Sequence, residues 1–314
     1  MATGFPKFIH SLLEPVPQYV IGCLPALAIV GASPINKFSY KLIWIFRCLG
    51  CPFMGVFSAV NIGGDKRSRC LFWLSSDYFE IRGSPSTSPK CKPIGFHAMK
   101  VSMYQTMDTI DKSIDLCTAR ASVLERFSSL VSAYYILVGI IAGISRALGA
   151  VSCQDWPYIP ILLSWTIPAL FRRAFSGNLV VKDPKKMFRK IKIVLEPKSS
   201  ESGDQHFIVT LTAFASIILP WTALLLAYLT PPVGYFCRSK YITIICGIWS
   251  LNSFIAFISH CVGEKNLRSG FLHVWFAFWG VIIAILLLAL AILTENYIWW
   301  NLFGKSCDIS SIGC

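Results

Sequence analysis

Charge is scarce in this chain. Asp, Glu, Lys and Arg together make up 14% of its 314 residues, against roughly 25% in an average soluble domain. The shortage falls mainly on one sign: 16 Asp and Glu face 29 Lys and Arg, for a net charge of +13. Several chemical signatures are missing too. There is no zinc-finger spacing and no RNA-binding signature, so the positive balance does not point to nucleic acid. There is no glycine-rich phosphate loop, no Ser-His-Asp arrangement that spacing supports, and no Asn-x-Ser/Thr acceptor. Nothing in the sequence calls for a cofactor.

What is present is apolar. Hydrophobic residues reach 54% and come in long blocks, not in short alternating or 3.6-residue patterns. A helix needs about 20 apolar residues to cross a hydrocarbon core of ~30 Å. Four uncharged runs meet that need: Phe127–Ser145, Phe207–Leu229, Tyr241–Val262 and Phe271–Leu293. Three more segments read as spans. Trp156–Phe171 has 16 residues, roughly 24 Å of helix. Arg172 and Arg173 can snorkel from its end, and Pro160 and Pro168 bend it. Leu42–Ile62 is long enough but contains Arg47. Val16–Ala32 holds Pro17 and Pro25, and its Val-Gly-Ala ending also fits a signal cleavage site.

The expected fold is an all-α, polytopic transmembrane helix bundle of about seven spans, or six if the first is a cleaved signal. Its parts divide as 1–62 (spans 1 and 2), 63–126 (linker and amphipathic helix), 127–171 (spans 3 and 4), 172–206 (basic loop), 207–293 (spans 5 to 7) and 294–314 (tail). Alternation puts the N-terminus and loops 63–126, 172–206 and 263–270 on one side with 22 Lys and Arg, against 5 on the other. The basic side is expected to be cytosolic and the C-terminus exoplasmic. Trp156, Tyr158, Tyr297, Trp299 and Trp300 then cluster at the outer headgroup level, where such rings are favoured. Which membrane is crossed is not distinguished.

Both long inner loops have local pattern. Residues 83–93 read as a flexible linker. No proline then occurs until Pro157, and Met103, Met107, Ile110, Ile114, Cys117, Ala121 and Leu124 alternate at spacings of four and three. That seam predicts an amphipathic helix running into the span at Phe127. Its charges balance, which favours a protein partner or a second copy over lipid; the ordinary alternative is packing on the chain's own loops. Loop 172–206 carries two β-rich pieces, Asn178–Val181 and Ile191–Leu195, which predict a small hairpin. Its nine Lys and Arg are expected to attract anionic lipid headgroups.

Polar groups inside the spans are the remaining candidates. Arg47 and Arg146 lie toward the outer ends of their helices, where they either anchor or join a path. Gly139 and Gly143 form a small-xxx-small pair that predicts close packing. The sixth span has the most polar face, with Cys246, Ser250, Asn252, Ser253 and His260; these either bond between helices or line a transport path. No span carries a carboxylate, which counts against carriers coupled to protons or sodium.

The 12 cysteines divide by compartment. Cys153, Cys237, Cys307 and Cys314 fall outside, where disulfides form. Cys48-Leu-Gly-Cys51 near the outer surface is similar to the redox pair of quinone-linked membrane enzymes that make disulfides; that resemblance covers four residues. His260, Cys261, Glu264 and His273 surround a turn and offer nitrogen, sulfur and oxygen ligands of the kind that hold zinc. Adiponectin-receptor-type hydrolases keep zinc among histidines in a bundle of this orientation, but their motifs are absent. The leading expectation is therefore a non-enzymatic, receptor-like or scaffolding membrane protein acting through its inner loops. A transporter or channel comes second, and a thiol-redox or zinc enzyme third.

Overall fold

A computed structural model describes residues 21–34, 37–60, 99–101, 107–148, 158–176, 178–182, 195–197, 203–229, 233–235, 237–262 and 269–293. In chain order the first elements are α1 (Ile21–Val30), α2 (Phe38–Gly50), α3 (Pro52–Val60), β1 (Met99–Val101), α4 (Met107–Cys117), β2 (Thr118–Arg120) and α5 (Val123–Ala147). Then come α6 (Ile159–Leu162), a 3-10 turn (Leu163–Thr166), α7 (Ile167–Ser176), β3 (Asn178–Val180), β4 (Leu195–Pro197), α8 (Gly203–Leu229), α9 (Cys237–Val262) and α10 (Ser269–Leu293).

Four of these helices are long and apolar enough to cross a membrane: Val123–Ser145, Thr210–Leu229, Ser239–Ser259 and Phe271–Ala291. They coincide with the four uncharged runs. Their outward faces carry Tyr134, Ile141, Phe214, Leu251, Phe278 and Ile285, all exposed. An apolar surface of that extent needs lipid around it, so the chain is built as a membrane protein.

Two of the other three expected spans are not single helices. Leu42–Ile62 is interrupted at Cys51, whose extended backbone (φ −134°, ψ 91°) separates α2 from α3. Pro52 opens α3 and has no N–H to donate back into α2. Trp156–Phe171 is cut twice, with Pro160 in the first turn of α6 and Pro168 in that of α7. A proline is tolerated in a first turn because that N–H has no helical partner anyway. These prolines divide the segments where bending was expected. Of Val16–Ala32, the ten-residue α1 is described, and residues 16–20 lie outside the described residues.

The interrupted segments occupy the centre. Cys51–Phe57 and Tyr158–Thr166 are continuously buried, as expected of short segments apolar on every side. Trp44, Trp165, Trp249, Phe53 and Phe276 are the largest fully buried side chains. The rings of Trp165 and Trp249 meet edge to face at 5.9 Å. Around this core α2 packs on α10, α8 on α9, and α5 on both α1 and α7, while α3 is held by α7, α8 and α9.

Two backbone approaches are closer than any side chain allows. A Cβ on Gly50 would strike the Phe276 carbonyl oxygen and stand 2.6 Å from the Gly280 nitrogen. A Cβ on Gly280 would strike the Phe46 carbonyl. Glycine at both points lets α2 and α10 touch through their backbones. Gly139 on α5 makes room for a side chain instead: an added Cβ would lie 2.5 Å from Pro160 Cβ.

The loop elements differ from expectation. Of the two β-rich pieces of loop 172–206 the first is described, residues 191–194 of the second lie outside the described residues, and no hairpin between them is seen among the described residues. Instead β3 pairs antiparallel with β2 (Thr118 opposite Val180, Arg120 opposite Asn178). In the same way β4 pairs with β1 (Met99 opposite Pro197, Val101 opposite Leu195). Each ladder therefore joins loop 63–126 to loop 172–206. The predicted continuous heptad helix is also broken, because α4 ends at Cys117 and the chain turns extended. The Cys117 carbonyl accepts N–H bonds from Val181 (2.9 Å) and Lys182 (3.3 Å), which satisfies an end that helix continuation would otherwise have served.

Candidate functional site

Breaking a buried helix exposes backbone groups, and these must find partners. Had the helix continued through Cys51, Leu49 and Gly50 would accept from the N–H groups of Phe53 and Met54. The interruption removes both bonds, and α9 replaces them. Trp249 Nε1 donates to the Leu49 carbonyl at 2.6 Å, and Asn252 Nδ2 donates to the Gly50 carbonyl at 2.8 Å. The stranded Phe53 N–H donates to Ser253 Oγ at 3.4 Å. The Cys51 thiol donates to the Asn252 carbonyl at 3.6 Å, and Trp275 Nε1 on α10 donates to Asn252 Oδ1 at 3.0 Å. Asn252 is fully buried. Its side chain thus ties three helices together at the one place where α2–α3 lacks its own bonds.

The polar sixth-span residues therefore converge, and each described one is engaged between helices. Ser250 Oγ accepts from Trp221 Nε1 on α8 at 2.8 Å, and the Cys246 thiol donates to the Pro220 carbonyl at 3.3 Å. Arg47 lies one turn before the break and is buried. Its carbonyl receives the Cys51 N–H at 3.0 Å. Cys48 and Cys51 are unbridged thiols, both buried.

Other candidates are only partly described. Arg146 lies in α5 and His260 and Cys261 in the last turns of α9, but their side chains, with Glu264, lie outside the described residues. His273 is buried in α10. Among the described residues no group of three His, Cys, Asp or Glu could hold a metal. Cys153, Cys307 and Cys314 lie outside the described residues, as does the Cys237 side chain at the start of α9. Of the heptad set, Ile114, Cys117 and Ala121 are buried while Leu124 is 75% exposed, so the last member points away from the others. Met103 and the side chains of Met107 and Ile110 lie outside the described residues.

Some contributors had a readable signal that the sequence reading passed over. Ser122-Val-Leu-Glu125 is a capping box. The Glu125 N–H donates to Ser122 Oγ at 3.2 Å, and the Ser122 N–H donates to Glu125 Oε2 at 2.8 Å. It starts the span helix at Val123, before Phe127. Trp249 and the Gly50–Gly280 contact had no local signal, because their partners lie far away in sequence.

No family model matches the chain, and neither a curated protein nor a solved structure does.

Proposed function

We propose that this is a non-enzymatic, seven-span membrane protein of scaffolding or receptor-like type, acting through one composite cytosolic face made by loops 63–126 and 172–206. The observation that carries this reading is the pair of ladders, β1–β4 and β2–β3, which join the two loops beside the ends of α5 and α7. Loops that served only as connections would have no need of such joining. The tightly bonded centre around Asn252 supports a bundle that holds a shape. The two interrupted segments and the segment containing α1 are read as the three further crossings. Residues 38–60, taken as helix, reach about 34 Å and residues 159–176 about 27 Å, against ~30 Å of hydrocarbon. Helix directions fit strict alternation: α2–α3 runs parallel to α9 (Leu49 with Trp249, Phe53 with Ser253) and antiparallel to α10 (Phe46 with Gly280, Gly50 with Phe276). The excess of 22 against 5 basic residues supports a cytosolic position for the joined loops.

Proximity labelling in cells tests the function. A tag fused to loop 172–206 is compared between wild type and Leu179→Pro, which breaks the β2–β3 ladder. A defined set of neighbours lost in the variant, at equal membrane abundance, supports the reading. An unchanged set overturns it.

Transport is kept as a second reading on one observation, an interrupted helix in the bundle centre with Arg47 buried a turn before the break. Interrupted helices build substrate and ion sites in many carriers. Proteoliposomes with internal proton and chloride reporters address it. Flux no greater than in empty liposomes counts against those ions.

A further inference from the structure

The inner ends of α5 and α7 gather cations. Two contacts set the level of these antiparallel helices: Gly139 lies against Pro160, and the Glu125 carboxylate acts on Arg173. Arg126 therefore stands level with Arg172 and Arg173. The β2–β3 ladder adds Arg120 opposite Asn178, and Lys182 follows at its end. The Glu125 carboxylate that acts on Arg173 is already engaged by Ser122. Arg126 Nε and Arg173 Nη1 are buried atoms with no hydrogen-bond acceptor among the described residues. A buried guanidinium nitrogen without an acceptor is costly.

The surroundings are apolar and open. Val123, Leu124 and Phe127 in the first turns of α5 are 85%, 75% and 61% exposed. On α7 the exposed rings of Phe171 and Phe175 stack at 6.2 Å and 3°. A soluble phosphate would satisfy the arginines and leave this apron in water. A phospholipid supplies both an anionic headgroup and chains to cover the apron.

We propose that Arg126 and Arg173, with Arg172 beside them, form a binding site for the phosphate of an anionic phospholipid at the inner ends of α5 and α7. The site narrows the general attraction of a basic loop for a membrane to one pair of helix ends. It rests on these helices crossing a bilayer at this level, and not on the scaffold reading.

The test is native mass spectrometry of the full-length protein in detergent, titrated with phosphatidylserine or with phosphatidylcholine. Wild type should retain phosphatidylserine in preference. Arg126→Gln/Arg173→Gln should weaken that retention by about thirtyfold, from roughly a fivefold loss for each cation near the surface. Arg126→Lys/Arg173→Lys should recover most of it, which a mere folding defect would not allow. Lys37→Gln/Lys41→Gln, at the other end of the bundle, should retain lipid like wild type. Equal retention by wild type and the double Gln variant overturns the site. So does displacement of the lipid by inorganic phosphate alone, which would make this a soluble-anion site. Wild type that inserts normally into liposomes yet shows no phosphatidylserine preference rejects the site and leaves the membrane reading standing.

Discussion

Asn252 shows what a polar residue inside a bundle is for. Its amide carries both a donor and an acceptor, and both are used, on Gly50 and Trp275. Asn252→Leu keeps the size and removes both, leaving the buried Gly50 carbonyl and the half-buried Trp275 indole N–H unpaired. Loss of such partners costs about 1–3 kcal/mol each, and relaxation in a membrane bundle lowers the figure. We expect a fall in thermal midpoint in detergent, larger than for Trp249→Phe, which strands only the Leu49 carbonyl. Equal stability of Asn252→Leu and wild type would sink the bracing role. Gly280→Ala is a separate expectation. Its new methyl meets the backbone of Phe46, which cannot swing aside. Overpacking of this kind costs about 1–3 kcal/mol, read as loss of monodisperse protein on size exclusion after mild heating. At this scale the sequence was half legible. Polar side chains on one helix face could be read directly. Their partners could not, because Asn252 and Gly50 are 202 residues apart.

Elements were legible wherever a local rule decided them. Long uncharged runs became long helices because length and apolarity suffice for a span. Prolines mark helix starts, whereas the sequence predicts Pro160 and Pro168 as bends inside a continuous span. In a packed centre the freed backbone groups find donors, so interruption is tolerated. The heptad from Met103 to Leu124 misled for a different reason. Periodicity measures amphipathicity, and it cannot register that Thr118–Arg120 gains ladder bonds by leaving the helix. Two measurements belong here. Ser122→Ala removes the cap of α5 and should cost about 0.5–2 kcal/mol, followed by denaturation of the purified protein. Lys100→Cys/Glu196→Cys places thiols on directly opposed residues, at a separation a disulfide can span. Mild oxidation should link the two loop peptides within one chain, as read by peptide mass spectrometry. A failure to link, with both thiols still reactive, removes the β1–β4 ladder.

For the whole molecule, the expected topology has a direct check. An impermeant thiol reagent applied to intact cells should leave a cysteine introduced at Lys185 unlabelled and should label one introduced at Lys305. The reverse pattern would invert the orientation and move the joined loops outside. Composition and charge asymmetry carried this expectation because both are sums over the chain and do not depend on which residues touch. By itself the sequence determined that four helices are long and apolar enough to span a membrane, and it determined how unevenly basic residues fall among the loops. Tertiary structure alone decided that two interrupted segments fill the centre, that α9 repairs the break at Cys51, and that loops 63–126 and 172–206 pair with each other. The reason is physical. Span formation is settled by transfer of a contiguous stretch into lipid, whereas a freed carbonyl or an edge strand is satisfied by whichever distant donor the packing brings within about 3 Å.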